Sequence, residues 1–192
     1  MFLDIKLGLL WAFLVAILFE KVITPEWIIF GVVFALLPDI DFWLEYAKHG
    51  TVGGKVIDLH RTLLHAPLIY IPIALFIGTW YGPAWMTLFA LGILGHHLHD
   101  SVGMGYGVRW LWPFTTRWYK FFSSKDGEIY YDFQHFFVSW SDEEMKALVD
   151  KRGNDNWLKE DLAYMRHHWK SILGKLIITI AAIALLIIVL PL

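Results

Sequence analysis

Residues 83–100 read PAWMTLFALGILGHHLHD, and this stretch decides the fold. Pro83 to Gly95 is apolar for about three and a half helical turns, and Pro83 is a residue favoured in a first turn. The run then ends in His96, His97, His99 and Asp100. Imidazoles and a carboxylate are expensive beside lipid unless they are paired, metal-bound or lining a wet cavity. The helix is therefore expected to cross a membrane and to deliver its last turn to a polar site.

Other stretches repeat the apolar half of this pattern. Residues 7–19, 66–80 and 173–192 approach the roughly 20 apolar residues that cross a bilayer. The whole chain of 192 residues is 57% hydrophobic, with a mean hydropathy of +0.52, above the usual soluble domain. The expected class is all-α and polytopic, with five membrane segments at about 7–22, 25–37, 65–80, 83–100 and 172–190. Pro38 is expected to stop the second. The first run lacks a basic lead-in and a small-residue cleavage site, so it is expected to remain as an anchor. Three parts follow: a membrane-embedded core over 1–115, a helical cytoplasmic or interfacial segment over 116–170, and a C-terminal transmembrane helix over 171–192. Within the middle part, Ser141-Asp142-Glu143-Glu144 has the form of a capping box, so a helix is expected from Asp142 to about Gly153. Asn156 is placed to cap another, running toward the last span.

Charge sets the orientation. Lys6, Lys48, Lys55, Arg61 and all eleven Lys and Arg from Arg109 to Lys175 fall on one expected side, and only Lys21 on the other. The excess of basic residues predicts a cytoplasmic amino terminus and an outer carboxyl terminus. The total of 16 basic against 18 acidic residues gives no sign of a nucleic-acid partner, and the absence of cysteine excludes disulfides and thiolate metal sites.

Alternating crossings bring three polar groups to one depth. Asp39 and Asp41 follow the second segment, Asp58, His60, Arg61 and His65 precede the third, and His96, His97, His99 and Asp100 close the fourth. Helical spacing puts His96, His99 and Asp100 on one face, with His97 about a quarter-turn away. Asp39 and Asp41, two apart, suit a turn or an extended strand presenting two carboxylates. Mixed nitrogen and oxygen ligands suit Zn, Mn, Fe, Co or Ni better than Ca or Mg. The expected ligands are Asp39, Asp41, His60, His65, His96, His99 and Asp100, enough for two divalent ions, zinc first with manganese or iron as alternatives. Asp132 and His135 are a further candidate pair, while His49, His167 and His168 read as interfacial side chains.

At these residues the chain resembles the YdjM-like family of bacterial and archaeal inner-membrane proteins, described as LexA-binding and as metal-dependent hydrolases. The shared elements are Leu37-Pro38-Asp39-Ile40-Asp41, His60-Arg61-Thr62-Leu63-Leu64-His65 and Gly95-His96-His97-Leu98-His99-Asp100, followed by Gly105 and Pro113-Phe114. The likeness covers about residues 30–115 in order and spacing. It departs at Leu64 and Ala66, where the family often has Thr and Ser around the histidine, and at Gly103, where Thr is frequent. The resemblance implies a prokaryotic inner-membrane location. A more distant similarity to zinc-dependent phospholipase C and P1 nuclease implies phosphoester hydrolysis.

The expected chemistry is attack by metal-activated water on a phosphoester. Arg61 would grip the phosphate, or else snorkel to the headgroups. Asp58 would orient a ligand imidazole. Whichever of His97 and His99 is not coordinated would protonate the leaving oxygen. A pocket just below the headgroups favours a phospholipid or lipid-linked phosphate as substrate, with the Trp-rich and Gly-rich stretch 106–118 as an interfacial lid. The alternative is a metal-binding membrane protein without turnover: a sensor, transporter or scaffold.

Overall fold

The computed structural model describes residues 2–50, 52, 63–102 and 105–189. Among the described residues seven α-helices follow one another: α1 (Phe2–Leu18), α2 (Pro25–Leu36), α3 (Ile40–His49), α4 (Tyr70–Tyr81), α5 (Pro83–Val102), α6 (Asp142–Arg152) and α7 (Trp157–Val189). Two strands, β1 (Trp118–Phe121) and β2 (Phe137–Trp140), lie between α5 and α6.

The bundle that carries the polar clusters is made of α1, α2, α4 and α5, with α5 touching the other three. Two of its links, α1 to α2 and α4 to α5, are short and chemically marked. Thr24 caps α2 by accepting from the Trp27 amide at 3.3 Å, with Pro25 in the first turn. Gly82 alone joins α4 to α5, in a conformation (φ +90°) that side chains rarely adopt. Such links make successive helices antiparallel. The contacts of His96 with Ala35 and Asp4, and of His65 with Asp39, put the start of α1, the end of α2, the start of α4 and the end of α5 at one end of the bundle.

Small residues let α1 and α2 touch. A Cβ on Gly8 would lie 2.6 Å from the Gly31 carbonyl oxygen, and one on Gly31 would lie 2.7 Å from that of Gly8. Small residues at a crossing are the usual means of bringing helices together in lipid. Around it pack Ala12, Val15, Ala16, Trp27, Ala84 and Leu88, and the Trp27 indole donates to the Ala12 carbonyl at 2.7 Å. Toward α4, Tyr70, Phe89 and Ile93 form a second buried cluster. The outer faces are apolar as well: Ile29, Phe30, Val33, Ile71, Leu75 and Phe76 are exposed, whereas His65, His96 and His97 are buried. Polar inside and apolar outside is what a bilayer demands.

Helices occupy all five stretches expected to cross. Among the described residues one course, Pro25–Lys48, has the length and composition of a span on its own, with 24 residues and a mean hydropathy of 1.8. It exists because Pro38 does not stop the helix as expected. Leu37–Asp39 form a single 3-10 turn and α3 continues from Ile40. A proline in the first turn lacks an N–H that would have no partner there anyway, so helix resumes past it. Asp39 and Asp41 are consequently presented from a tightened turn and the first turn of α3, not from an extended strand.

The segment after α5 departs from the all-helical expectation. β1 and β2 pair antiparallel, Trp118 opposite Trp140 and Phe121 opposite Phe137. Alternate residues Trp118, Val138 and Trp140 turn inward to pack with Met145, Leu148 and Val149 of α6, an alternation that the density of aromatics concealed. The capping box is present in both directions: Ser141 accepts from the Glu144 amide at 3.2 Å, and Glu144 accepts from the Ser141 amide at 2.7 Å. A cap of this kind is worth about 1 kcal/mol. Ser141→Ala is therefore expected to speed amide exchange in the first turn of α6 about five-fold, measured by hydrogen–deuterium exchange. The last helix is longer than expected. α7 runs unbroken for 33 residues across the 170/171 boundary and touches α1.

Candidate metal centre

Three side chains from three elements converge at the shared end of the bundle. Asp39 comes from the 3-10 turn, His65 from the turn before α4, and His96 from the last turns of α5, with one ligand atom of each within 4.8 Å of the others. The Asp39 Oδ1 lies 3.6 Å from the Nε2 of both histidines, and those nitrogens are 3.4 Å apart. Ligand atoms around a tetrahedral zinc with bonds of about 2.0–2.2 Å stand roughly 3.3–3.6 Å from one another. The triangle has that size. Asp100 adjoins it, its Oδ2 lying 3.3 Å from His65 Nε2 and 3.7 Å from His96 Nε2.

The protons point the other way. His96 Nδ1 lies 2.9 Å from the Ala35 carbonyl, which only accepts, so that nitrogen carries a hydrogen and Nε2 is the atom turned to the centre. His65 Nδ1 faces Asp41 Oδ2 at 3.6 Å, again an acceptor. With both Nδ1 atoms turned to acceptors, the two Nε2 atoms face each other and two carboxylates across the centre. That donor set repels itself unless a cation joins it, and a ligating histidine that donates its far N–H to a carbonyl or carboxylate is the common arrangement at metals.

Local structure holds each ring. Tyr70, buried at the start of α4, donates to the Leu64 carbonyl at 2.8 Å and pins the turn that presents His65. Gly95 leaves room for Trp11, whose indole nitrogen would stand 2.6 Å from a Cβ there, so α1 lies close against the ligand turn of α5.

The expected ligands thus part into roles. Asp39, His65 and His96 form the triad, and Asp100 stands beside it. Asp41 sits behind His65, in the place of an orienting carboxylate. His99 turns to Asp4, whose Oδ1 accepts from its Nδ1 at 3.0 Å. His97 is wholly buried, its Nδ1 2.7 Å from the Ile93 carbonyl and its ring 6.0 Å from that of His65. Its Nε2 has no hydrogen-bond partner among the described residues. Asp58, His60 and Arg61 lie outside the described residues. His135 stays local, stacked on Tyr130 at 4.3 Å and bonded to Asp132, whose carboxyl those hydrogen bonds hold below its ordinary range.

Asp4 is the residue that sequence reasoning missed. An acid in a first helical turn has an ordinary explanation in the helix dipole, and nothing local distinguishes it. Its burial to 0% exposure does.

A test separates ligand from support. Asp41→Asn is expected to weaken metal binding about 10–100-fold, as loss of an orienting carboxylate does, whereas Asp39→Ala abolishes it. Competition against a chromophoric chelator measures both, and equal losses would remove the distinction.

The profile of the YdjM inner membrane protein family matches residues 5–190, so the chain belongs to that family. Over 113 residues it is 36% identical to the inner membrane protein YbcI of Escherichia coli strain K12. That alignment takes in 54% of this chain and 62% of the relative, so the chain spans less than two thirds of the curated relative's length. No solved structure matches.

Proposed function

We propose that this member of the YdjM inner membrane protein family is a membrane-embedded, metal-dependent hydrolase that cleaves a phosphoester of a phospholipid or lipid-linked phosphate. The observation that carries the proposal is the convergence of the Nε2 atoms of His65 and His96 on Asp39, with each Nδ1 turned to an acceptor behind it, Asp41 Oδ2 at 3.6 Å and the Ala35 carbonyl at 2.9 Å. Inner-membrane location follows from the family. Five crossings with a cytoplasmic site are part of the proposal, supported by the five helical stretches and the distribution of Lys and Arg.

Asp39, His65 and His96, with Asp100 beside them, would hold a transition metal of the zinc type. A second ion, as the number of candidate ligands suggests, would draw on His60. A bound divalent metal supplies a water that ionises near neutral pH and a Lewis acid for phosphoryl oxygens. The chain's own residues do the rest. The Ala35 carbonyl holds the His96 ring by its Nδ1–H, and Asp41 stands behind the His65 ring as its orienting carboxylate. His97, with Nδ1–H donated to Ile93, offers Nε2 to take a proton and return it to the leaving oxygen. On the sequence reading, Arg61 would bind the phosphate and Asp58 would orient a ligand imidazole. The apolar outer faces of α2 and α4 keep the substrate's acyl chains in lipid, and stretch 106–118 covers the site.

The experiment is metal analysis of the protein purified in mild detergent, followed by a panel of phospholipids and generic phosphodiesters with and without chelator. Bound transition metal and chelator-sensitive release of a phosphate product are expected. A metal-loaded protein that turns over nothing would favour the sensor, transporter or scaffold reading. A protein that takes up no metal would sink both.

A further inference from the structure

Asp4 is a charged side chain at 0% exposure in the first turn of an apolar helix. Burying a carboxylate costs several kcal/mol unless partners compensate, and a favourable helix dipole needs no burial. Its partners are the reason for its place. The Asp4 Oδ1 lies 3.0 Å from His99 Nδ1 and 3.4 Å from His96 Nδ1. The latter is the proton-bearing nitrogen of a triad residue, the one also facing the Ala35 carbonyl.

The helix is built to deliver it there. Asp4, Gly8 and Trp11 are spaced i, i+4, i+7 and fall on one stripe of α1. Gly8 meets the backbone of α2 at Gly31, and Trp11 lies against Gly95 of α5. The same close crossing that joins the helices carries the carboxylate under the last turns of α5.

We infer that Asp4 is a positioning residue of the metal centre: it shares the His96 Nδ1 proton with Ala35, fixes the ring, and strengthens Nε2 as a ligand. His99 holds Asp4 from the other side and is a support of the carboxylate, not a ligand of the metal. This inference rests on the metal-binding reading above. It makes α1 a working part of the site, although no residue of α1 belongs to the triad.

The test uses the full chain in detergent, stripped by chelator and titrated with Co(II), whose visible absorption reports the ligand field. Wild-type binding establishes the metal reading before any variant is made, and if wild type binds no Co(II), that reading and this inference fall together. Asp4→Asn keeps the volume of the side chain and loses its charge. It is expected to raise the Co(II) dissociation constant about ten-fold, in the range for lost outer carboxylates, and to shift the absorption bands. Asp4→Ala is expected to do more, and His99→Gln to keep Co(II) bound. Wild-type affinity and spectrum in Asp4→Asn would overturn the inference, even with a lowered melting temperature, because that pattern is packing alone. Loss of Co(II) from His99→Gln would overturn it too, by making His99 a ligand.

Discussion

His96→Ala is expected to leave the protein without metal and, on the proposed hydrolase function, to lower turnover at least about a thousand-fold, or roughly 4 kcal/mol of transition-state stabilisation. The size follows from geometry. His96 Nε2 is one corner of the triangle with His65 and Asp39, at 3.4 and 3.6 Å. Removing it leaves one imidazole and carboxylates, a set with little hold on zinc-type metals. The ring also ties α5 to α2 through Ala35, so some stability goes with it. Metal stoichiometry by mass spectrometry, beside a melting curve, separates the two effects. A folded His96→Ala protein with full metal would remove the triad from the argument.

Gly8→Val should have the largest effect on folding. A Cβ at this position stands 2.6 Å from the Gly31 carbonyl oxygen and 2.7 Å from the Val32 Cα, both backbone atoms that cannot rotate away. Overpacking usually costs 1–3 kcal/mol and sometimes more. With two backbones in the way, about 3 kcal/mol is expected, near 10 °C of melting temperature for a chain of this size. Separation of α1 from α2 would also draw Asp4 from His96, so metal affinity falls with stability. Thermal melting in detergent, with Gly8→Ala as the milder arm, measures it. An unchanged melting temperature in Gly8→Val would mean that the helices are free to separate without cost.

Much of the site was legible because lipid makes polar residues conspicuous. Asp39, His65 and His96 stand out in the sequence as polar groups at the ends of apolar runs. Their division of labour was not legible. Spacing on α5 places His99 and Asp100 equally well on the His96 face, yet His99 turns to Asp4 and Asp100 to the triad. Asp41 differs from Asp39 by two positions, and only the 3-10 turn at Pro38 decides which carboxylate lies in front of His65 and which behind it. The hairpin was hidden for another reason. Its inward residues, Trp118, Val138 and Trp140, lie among outward aromatics such as Phe137, so hydropathy does not alternate where burial does.

The sequence by itself determined where most of the apolar helices lie and the capping box at Ser141. Each depends on residues within a few turns of one another, where composition and spacing are sufficient. Tertiary structure alone decided which nitrogen of each histidine faces the centre and which acid waits behind it. Those choices depend on how far each helix is rotated and how closely it approaches its neighbour, here set by Gly8 against Gly31 and Trp11 against Gly95. No local pattern records a contact between Asp4 and residues more than 90 positions away.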